Sequence, residues 1–370
     1  MTRPASSRLP VFPWDQLDSH REIARSHPDG IVDLSIGTPV DPTPALVQEA
    51  LAAAADAPGY PQVIGLAETR QAALDWLDRR LGVTGLGLGH VLPTIGSKEL
   101  VASLPSQLGL GPGDVVVHPE VAYPTYAVGA AVCGARAVAT DSLTALGPET
   151  PALVWINSPG NPTGRVLPPD HLRKVVDWCR ERGVLLVSDE CYVEMTWDAD
   201  APPVSVLHPD ICGGSPEGIL AVHSLSKRSN LAGYRCGFVT GDETVVGELL
   251  AMRKHLGLIM PAPQQRAMAA ALADDEHVLA QHATYAKRRA VLREALQSAG
   301  FRIDHSEGAL YLWTTRDSGD SDCWELVSWF AERGILVAPG VFYGPTGARH
   351  VRVALTATDE RVAAAVARLA

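Results

Sequence analysis

The chain has 370 residues, 46% of them apolar and 20% charged, which is the composition of a folded soluble protein with ample length for a real core. Its 42 acidic residues outnumber 31 basic ones, for a net charge of −11, which argues against nucleic acid or an anionic membrane as partner. The six cysteines form no CxxC pair and no zinc-type spacing, and no apolar run reaches membrane length, so no metal is expected and a reducing cytoplasm is the expected compartment.

Residues 1–34 read as an irregular N-terminal arm with Pro, Ser and His but no apolar stretch of the signal-peptide kind. From 35 to 255 short apolar runs alternate with amphipathic stretches. Strands are expected at 91–94, 115–117, 135–140, 153–156, 184–188, 219–223 and 236–240, and helices between them at 66–81, 98–108, 171–182 and 244–255. That alternation implies βαβ units: an α/β fold with a mostly parallel central sheet, helices on both faces, and strands apolar throughout because both faces are covered. Residues 256–370 change character. One long helical tract at 263–299 precedes strands at 301–304 and 310–314, a helix at 323–333, strands at 335–337 and 350–354, and a helix at 359–369, the pattern of a smaller α+β domain.

Four segments sit at carboxyl ends of expected strands, where open α/β sheets place their ligands. Gly96-Ser97-Lys98 opens a helix, and backbone N–H groups there make a phosphate nest. In 157–164, Asn-Ser-Pro-Gly-Asn-Pro-Thr-Gly, the Pro and Gly residues fix the backbone tightly and aim Asn161 at a ligand, or simply make turns. Asp189 closes an apolar strand, where a carboxylate either caps the next helix or neutralises a buried cation. Lys227 directly follows the strand at 219–223. A lysine withdrawn from water has a lowered pKa and forms Schiff bases, while Ser224 and Arg235 beside it suit a phosphate; a solvated basic turn is the plain alternative.

Taken together and in order, Tyr60, Gly96-Ser97-Lys98, Tyr123-Pro-Thr-Tyr126, Asn161-Pro-Thr-Gly164, Asp189-Glu-Cys-Tyr192, Ser224-Leu-Ser-Lys227, Arg235 and Arg352 resemble the class I/II aminotransferases, pyridoxal 5′-phosphate enzymes of fold type I. The resemblance covers nearly the whole chain. It implies a large cofactor-binding domain at 35–255 and a small domain formed by the arm together with 256–370. It implies that Lys227 holds the cofactor and moves the proton, that Asp189 partners the pyridine nitrogen, and that Asn161 and Tyr192 bond the phenolic oxygen. Tyr123 is then the ring that stacks on the pyridine. Gly96, Ser97, Lys98, Ser224 and Arg235 form the phosphate cup, and Tyr60 reaches the phosphate of a neighbouring subunit in a homodimer. Arg352, with Gly37 and Asn161 beside it, takes the substrate carboxylate, for which a planar guanidinium fork is suited and an ammonium is not. The substrates implied are an amino acid and a 2-oxo acid, glutamate and 2-oxoglutarate among them.

Residues 9–15, 32–44 and 226–235 are similar, more narrowly, to N-succinyldiaminopimelate aminotransferases of lysine biosynthesis in actinobacteria. The same fold also hosts transaminases for aspartate, alanine or aromatic amino acids and C–S lyases, so the fold alone does not select the reaction. A cofactor-binding regulator would need a DNA-binding extension, and a dinucleotide protein a GxGxxG after a strand; neither pattern is found.

Overall fold

The computed structural model describes residues 5–198, 200, 202–316 and 322–370; the first four residues of the expected arm lie outside them. In chain order, the first part holds α1 (Asp18–Arg25), β1 (Val32–Asp33), α2 (Ala45–Ala53), α3 (Ala67–Leu81), β2 (Val91–Ile95), α4 (Ser97–Gln107), β3 (Val115–His118), α5 (Thr125–Cys133) and β4 (Arg136–Ala139). There follow β5 (Leu153–Asn157), α6 (Pro169–Glu181), β6 (Leu185–Asp189), α7 (Pro209–Cys212), β7 (Ile219–Ser224), α8 (Leu225–Arg228), β8 (Cys236–Gly241), α9 (Glu243–Leu256), α10 (Ala262–Ala273) and α11 (Glu276–Ser298). The last part holds β9 (Arg302–Asp304), β10 (Tyr311–Thr315), α12 (Cys323–Ala331), β11 (Ile335–Leu336), β12 (Ala338–Pro339), β13 (Val351–Ala354) and α13 (Asp359–Leu369).

Seven strands form one sheet in the order β2-β8-β7-β6-β5-β3-β4. Only β8 runs antiparallel to its neighbours; every other pairing is parallel. The carboxyl ends of β2, β5, β6 and β7 therefore share one edge, and the reversed β8 brings its start to that same edge, Ile95 facing Cys236 and Ser224 facing Gly237. Alternate side chains feed two cores. Val154 and Ile156 of β5 pack with Trp76 and Leu77 of α3, while Leu153 and Trp155 pack on the opposite face with Leu100 and Leu104 of α4. Burial of both faces is what makes these strands continuously apolar in sequence.

A four-stranded antiparallel sheet, β12-β13-β10-β9, carries the second assembly. The arm is tied to it: β1 pairs with β11 in parallel, and Leu17, Ala24, Val32 and Leu34 share a core with Leu312, Val327 and Leu355.

Two expectations change. The arm is not irregular throughout, since α1 forms where Leu17 and Ala24 gain a buried face. The tract at 263–299 is two helices, broken where Asp274 turns extended and its carboxylate accepts the backbone N–H of His277 at 3.0 Å. The helix α10 packs on α2 and α3, and its Ala267, Met268 and Leu272 lie in the core of the seven-stranded sheet.

Candidate active site

A cavity of about 870 Å³ opens at the shared strand edge and extends to the second sheet. Its floor is set by where strands end. Asp189 is the last residue of β6 and 6% exposed. Its carboxylate accepts the Tyr126 hydroxyl at 2.7 Å and the Cys191 N–H at 3.1 Å. No cationic side chain contributes to this, and burial pushes the carboxyl above its usual range. Such a group calls for a cation from a ligand.

Lys227 lies on the short helix α8, started by the Ser224 hydroxyl accepting the Ser226 N–H at 3.2 Å. Its ammonium donates to the carbonyl of Gly37, and burial holds its pKa below the ordinary lysine value, with the Arg352 and Arg235 cations acting in the same direction. Asn161 enters from the loop after β5, its N–H held by the Asn157 side-chain oxygen at 2.7 Å. Tyr192 is 7% exposed, and its hydroxyl meets that of Tyr311 at 2.8 Å. Tyr123 lines the cavity with its phenol pushed up to about 12 by burial.

At the opposite end Arg352 projects from β13, 3% exposed. Its guanidinium donates to the Asn161 side-chain oxygen at 2.8 Å and to the Ser35 carbonyl at 2.7 Å. The rings of Tyr311 and Tyr343 cover its faces at 4.0 and 4.8 Å, and its buried Nε has no partner in the protein. A desolvated guanidinium with a spare donor is suited to a carboxylate.

The expected phosphate cup converges. Gly96 has φ +76° and precedes the first turn of α4, so the N–H groups at Ser97 and Lys98 are helix-terminal donors. Arg235, itself at φ +57°, is braced by the Ala232 carbonyl at 2.7 Å. A Cβ on Gly96 would lie 2.6 Å from the Arg235 guanidinium carbon, and the left-handed φ of +76° itself favours glycine at this position. Lys98 is exposed at the rim, its ammonium 5.7 Å over the Phe12 ring.

Gly37, Ser97, Lys98, Tyr123, Asn161 and Asp189 thus meet in one cavity with Tyr192, Ser224, Lys227, Arg235 and Arg352. Tyr60 does not join them: it is fully exposed on this chain. Sequence reading missed Tyr126, the donor to Asp189, and Tyr311. Tyr126 was visible inside the Tyr-Pro-Thr-Tyr motif, whereas Tyr311 sits in an ordinary apolar strand pattern that carries no signal. Among the described residues no group of ligating side chains is arranged for a metal.

The family model for aminotransferase class I and II matches residues 29–369. The chain belongs to the class I and II aminotransferases. It is 62% identical to a probable aminotransferase of Mycobacterium tuberculosis, over 98% of this chain and 86% of that one. It is 56% identical to the 4-dedimethylamino-4-oxo-anhydrotetracycline transaminase OxyQ of Streptomyces rimosus, over 98% and 99%. Among solved structures, an aminotransferase of Neisseria meningitidis superposes with a TM-score of 0.89 at 30% identity, covering 100% of this chain and 98% of that one. A probable N-succinyldiaminopimelate aminotransferase of Thermus thermophilus gives 0.86 at 30% identity, covering 97% and 99%. The fold is the fold-type-I aminotransferase fold, and the enzyme is a pyridoxal phosphate-dependent transaminase of amino acids and 2-oxo acids. The side chains of the cavity fit that cofactor: a buried carboxylate with neutral hydrogen-bond donors on it for its ring nitrogen, a desolvated lysine for its carbonyl, and a glycine-lined cup with helix-terminal donors for its phosphate. No helix among the described residues is long and apolar enough to cross a membrane.

Proposed function

We propose that the enzyme transfers an amino group between glutamate and the 6-oxo form of N-succinyl-2,6-diaminopimelate in a ping-pong reaction. The observation that carries this reading is that the same cavity of about 870 Å³ is lined by a buried guanidinium, Arg352, and by an exposed lysine, Lys98. A substrate with a carboxylate at its reacting end and others on a long arm matches that polarity, and the relative from Thermus thermophilus is named for such a substrate.

The cofactor supplies an electron sink for the carbanion formed when the α-proton leaves. Arg352 grips the substrate carboxylate with its fork and orients Cα. Asp189, stabilised by Tyr126 and the Cys191 N–H, stays ionised against the ring nitrogen. Lys227, whose pKa its desolvation lowers, would take the α-proton on Nζ as a free amine and hold it for return, the cofactor supplying the carbon that receives it. Positioned acid–base help of this kind contributes about 10²–10⁴-fold. Asn161 and Tyr192 bond the phenolic oxygen, and Tyr123 covers the ring face. Ser97, Lys98, Ser224 and Arg235 hold the phosphate. Tyr60, fully exposed on this chain, serves the phosphate site of a second copy in a homodimer. Arm and C-terminal elements form the small domain of this reading, and the six free thiols suit the cytoplasm.

A second reading has its own observation. Phe12, Trp14 and Phe342 make an aromatic wall, and the Streptomyces relative is named for a polycyclic ketone. Stopped half-reactions separate the two. Glutamate and N-succinyl-diaminopimelate should each discharge the visible absorbance of the bound cofactor. Discharge by glutamate and a polycyclic amine, with N-succinyl-diaminopimelate inert, overturns the first reading in favour of the second.

A further inference from the structure

We propose that Tyr311 is a positioning residue for amino transfer: its hydroxyl donates to the Tyr192 hydroxyl and so directs the Tyr192 proton at the phenolic oxygen of the cofactor. This rests on the reading of Tyr192 given above and extends it to a residue that reading leaves out.

The two hydroxyls lie 2.8 Å apart, with the rings edge-to-face at 71°. Both side chains are buried, Tyr311 at 3% and Tyr192 at 7% exposure, so each hydroxyl is held by what surrounds it rather than by water. One of the two must donate, and their surroundings differ. Tyr311 lies with its ring 4.0 Å from the Arg352 guanidinium, and the Lys227 ammonium is directed to the neighbouring Gly37 carbonyl. Burial disfavours its phenolate, but these two cations and the Tyr192 hydrogen bond outweigh that and draw its pKa below the ordinary phenol value. Tyr192 is driven the other way by burial, with Tyr311 adding to the rise; Arg352 opposes it and the Cys191 thiol adds to it. Each hydroxyl carries one proton, so a Tyr192 that gives its own to the phenolic oxygen has only lone pairs left for a neighbour 2.8 Å away, and the proton between the two is that of Tyr311. Tyr192 then accepts and has its own proton free for the cavity, and chained hydrogen bonds strengthen one another.

The backbone is shaped around this arrangement. A Cβ on residue 37 would lie 2.6 and 2.7 Å from the Tyr311 ring carbons Cε1 and Cζ, so Gly37 is what admits the phenol. Tyr311 also joins the two ends of the site, since its ring covers the carboxylate-binding Arg352 while its hydroxyl reaches the cofactor side. A proton directed at the phenolic oxygen favours that oxygen in its ionised form at neutral pH.

The test is a pH titration of the visible absorbance of the bound cofactor, with no substrate present, in wild type, Tyr311→Phe, Tyr192→Phe and the double variant. Loss of the Tyr311 hydroxyl should raise the midpoint by about half a unit or more, the size expected of one neutral hydrogen bond. Tyr192→Phe should raise it further, and the double variant should not exceed Tyr192→Phe, because the two groups act through one chain. An unmoved midpoint in Tyr311→Phe beside a shifted one in Tyr192→Phe overturns the inference alone. A midpoint unmoved in Tyr192→Phe overturns the reading beneath it. A tenfold rise in KM with an unmoved midpoint in Tyr311→Phe assigns the residue to Arg352 only and also overturns the inference. Should Tyr311→Phe lose its far-ultraviolet circular dichroism, Tyr311→Met carries the same titration: a raised midpoint is expected, and an unmoved one overturns the proposal.

Discussion

Arg352 and Asn161, 191 positions apart, are joined by a 2.8 Å hydrogen bond from guanidinium to amide oxygen. The bond links β13 of the second sheet to the loop after β5 of the first, so the Arg352 guanidinium and the Asn161 amide are positioned by each other. Because the same guanidinium also holds the Ser35 carbonyl, three elements converge on one side chain.

Arg352→Lys keeps the charge and loses the fork. An ammonium cannot hold Asn161, Ser35 and a substrate carboxylate in one plane, nor stack between Tyr311 and Tyr343. The expected outcome is a rise of about 100-fold in KM for both amino donor and 2-oxo acid, equivalent to roughly 2–3 kcal/mol of charge-assisted bonding, with a smaller fall in kcat. Steady-state kinetics with both substrates decide it; a loss confined to kcat contradicts this role.

Gly37→Ala tests the close approach at the same end of the site. The added methyl meets the Tyr311 ring, which cannot retreat because Arg352 lies on its face and Tyr192 holds its hydroxyl. Overpacking of this kind costs about 1–3 kcal/mol. Thermal melting should fall by a few degrees and kcat/KM by tenfold or more, since the Gly37 carbonyl that receives Lys227 moves with it. An unchanged kcat/KM would mean that the ring has room to move.

Much of this was legible before folding. The strands of the large sheet announced themselves as apolar runs because both faces are covered, and Gly96, Asn161, Asp189 and Lys227 stood out because polar or glycine residues at such strand ends need a reason. The break in 263–299 was hidden: Asp274 and Asp275 are tolerated in helices, and only the capping of His277 shows that the helix restarts. Tyr311 was hidden for the opposite reason. Its strand looks like core, and only the pairing of β10 with β13, which sets the ring against Arg352, gives it a role.

Lys227→Ala removes the amine that the site desolvates. The fold should persist, since Lys227 makes its one side-chain hydrogen bond to the Gly37 carbonyl and α8 is held by the Ser224 cap and by Arg228, which pairs with Glu194. The covalent tie to the cofactor and the proton carrier disappear together, so turnover should fall by about 10⁴-fold or more. Dialysis should then strip the visible absorbance that wild type retains. A variant that keeps its colour through dialysis and its rate would remove Lys227 from the chemistry.

Behind the active-site edge, Glu190 follows Asp189 and is fully buried, its carboxylate near the Ser188 and Ser205 hydroxyls and 3.8 Å from His223, which packs edge-on to Trp76. One oxygen accepts the Val206 N–H at 2.8 Å and the other has no partner. Burial raises its pKa from 4.5 to about 7. The folded carboxyl therefore keeps its proton up to about pH 7, whereas the unfolded one releases it near 4.5, so ionisation weakens the fold progressively as pH rises between those values. Glu190→Gln removes the ionisation and keeps the acceptor for Val206. At pH 8.5 it should be more stable than wild type by up to about 3 kcal/mol, and at pH 4.5 the advantage should vanish. Burial lowers the His223 pKa to about 3, so in the folded enzyme it is neutral at both pH values and adds no charge of its own to the comparison. Denaturant melts of the two proteins at both pH values give the answer. A gain of equal size at each pH would mean that packing rather than ionisation sets the stability at this position.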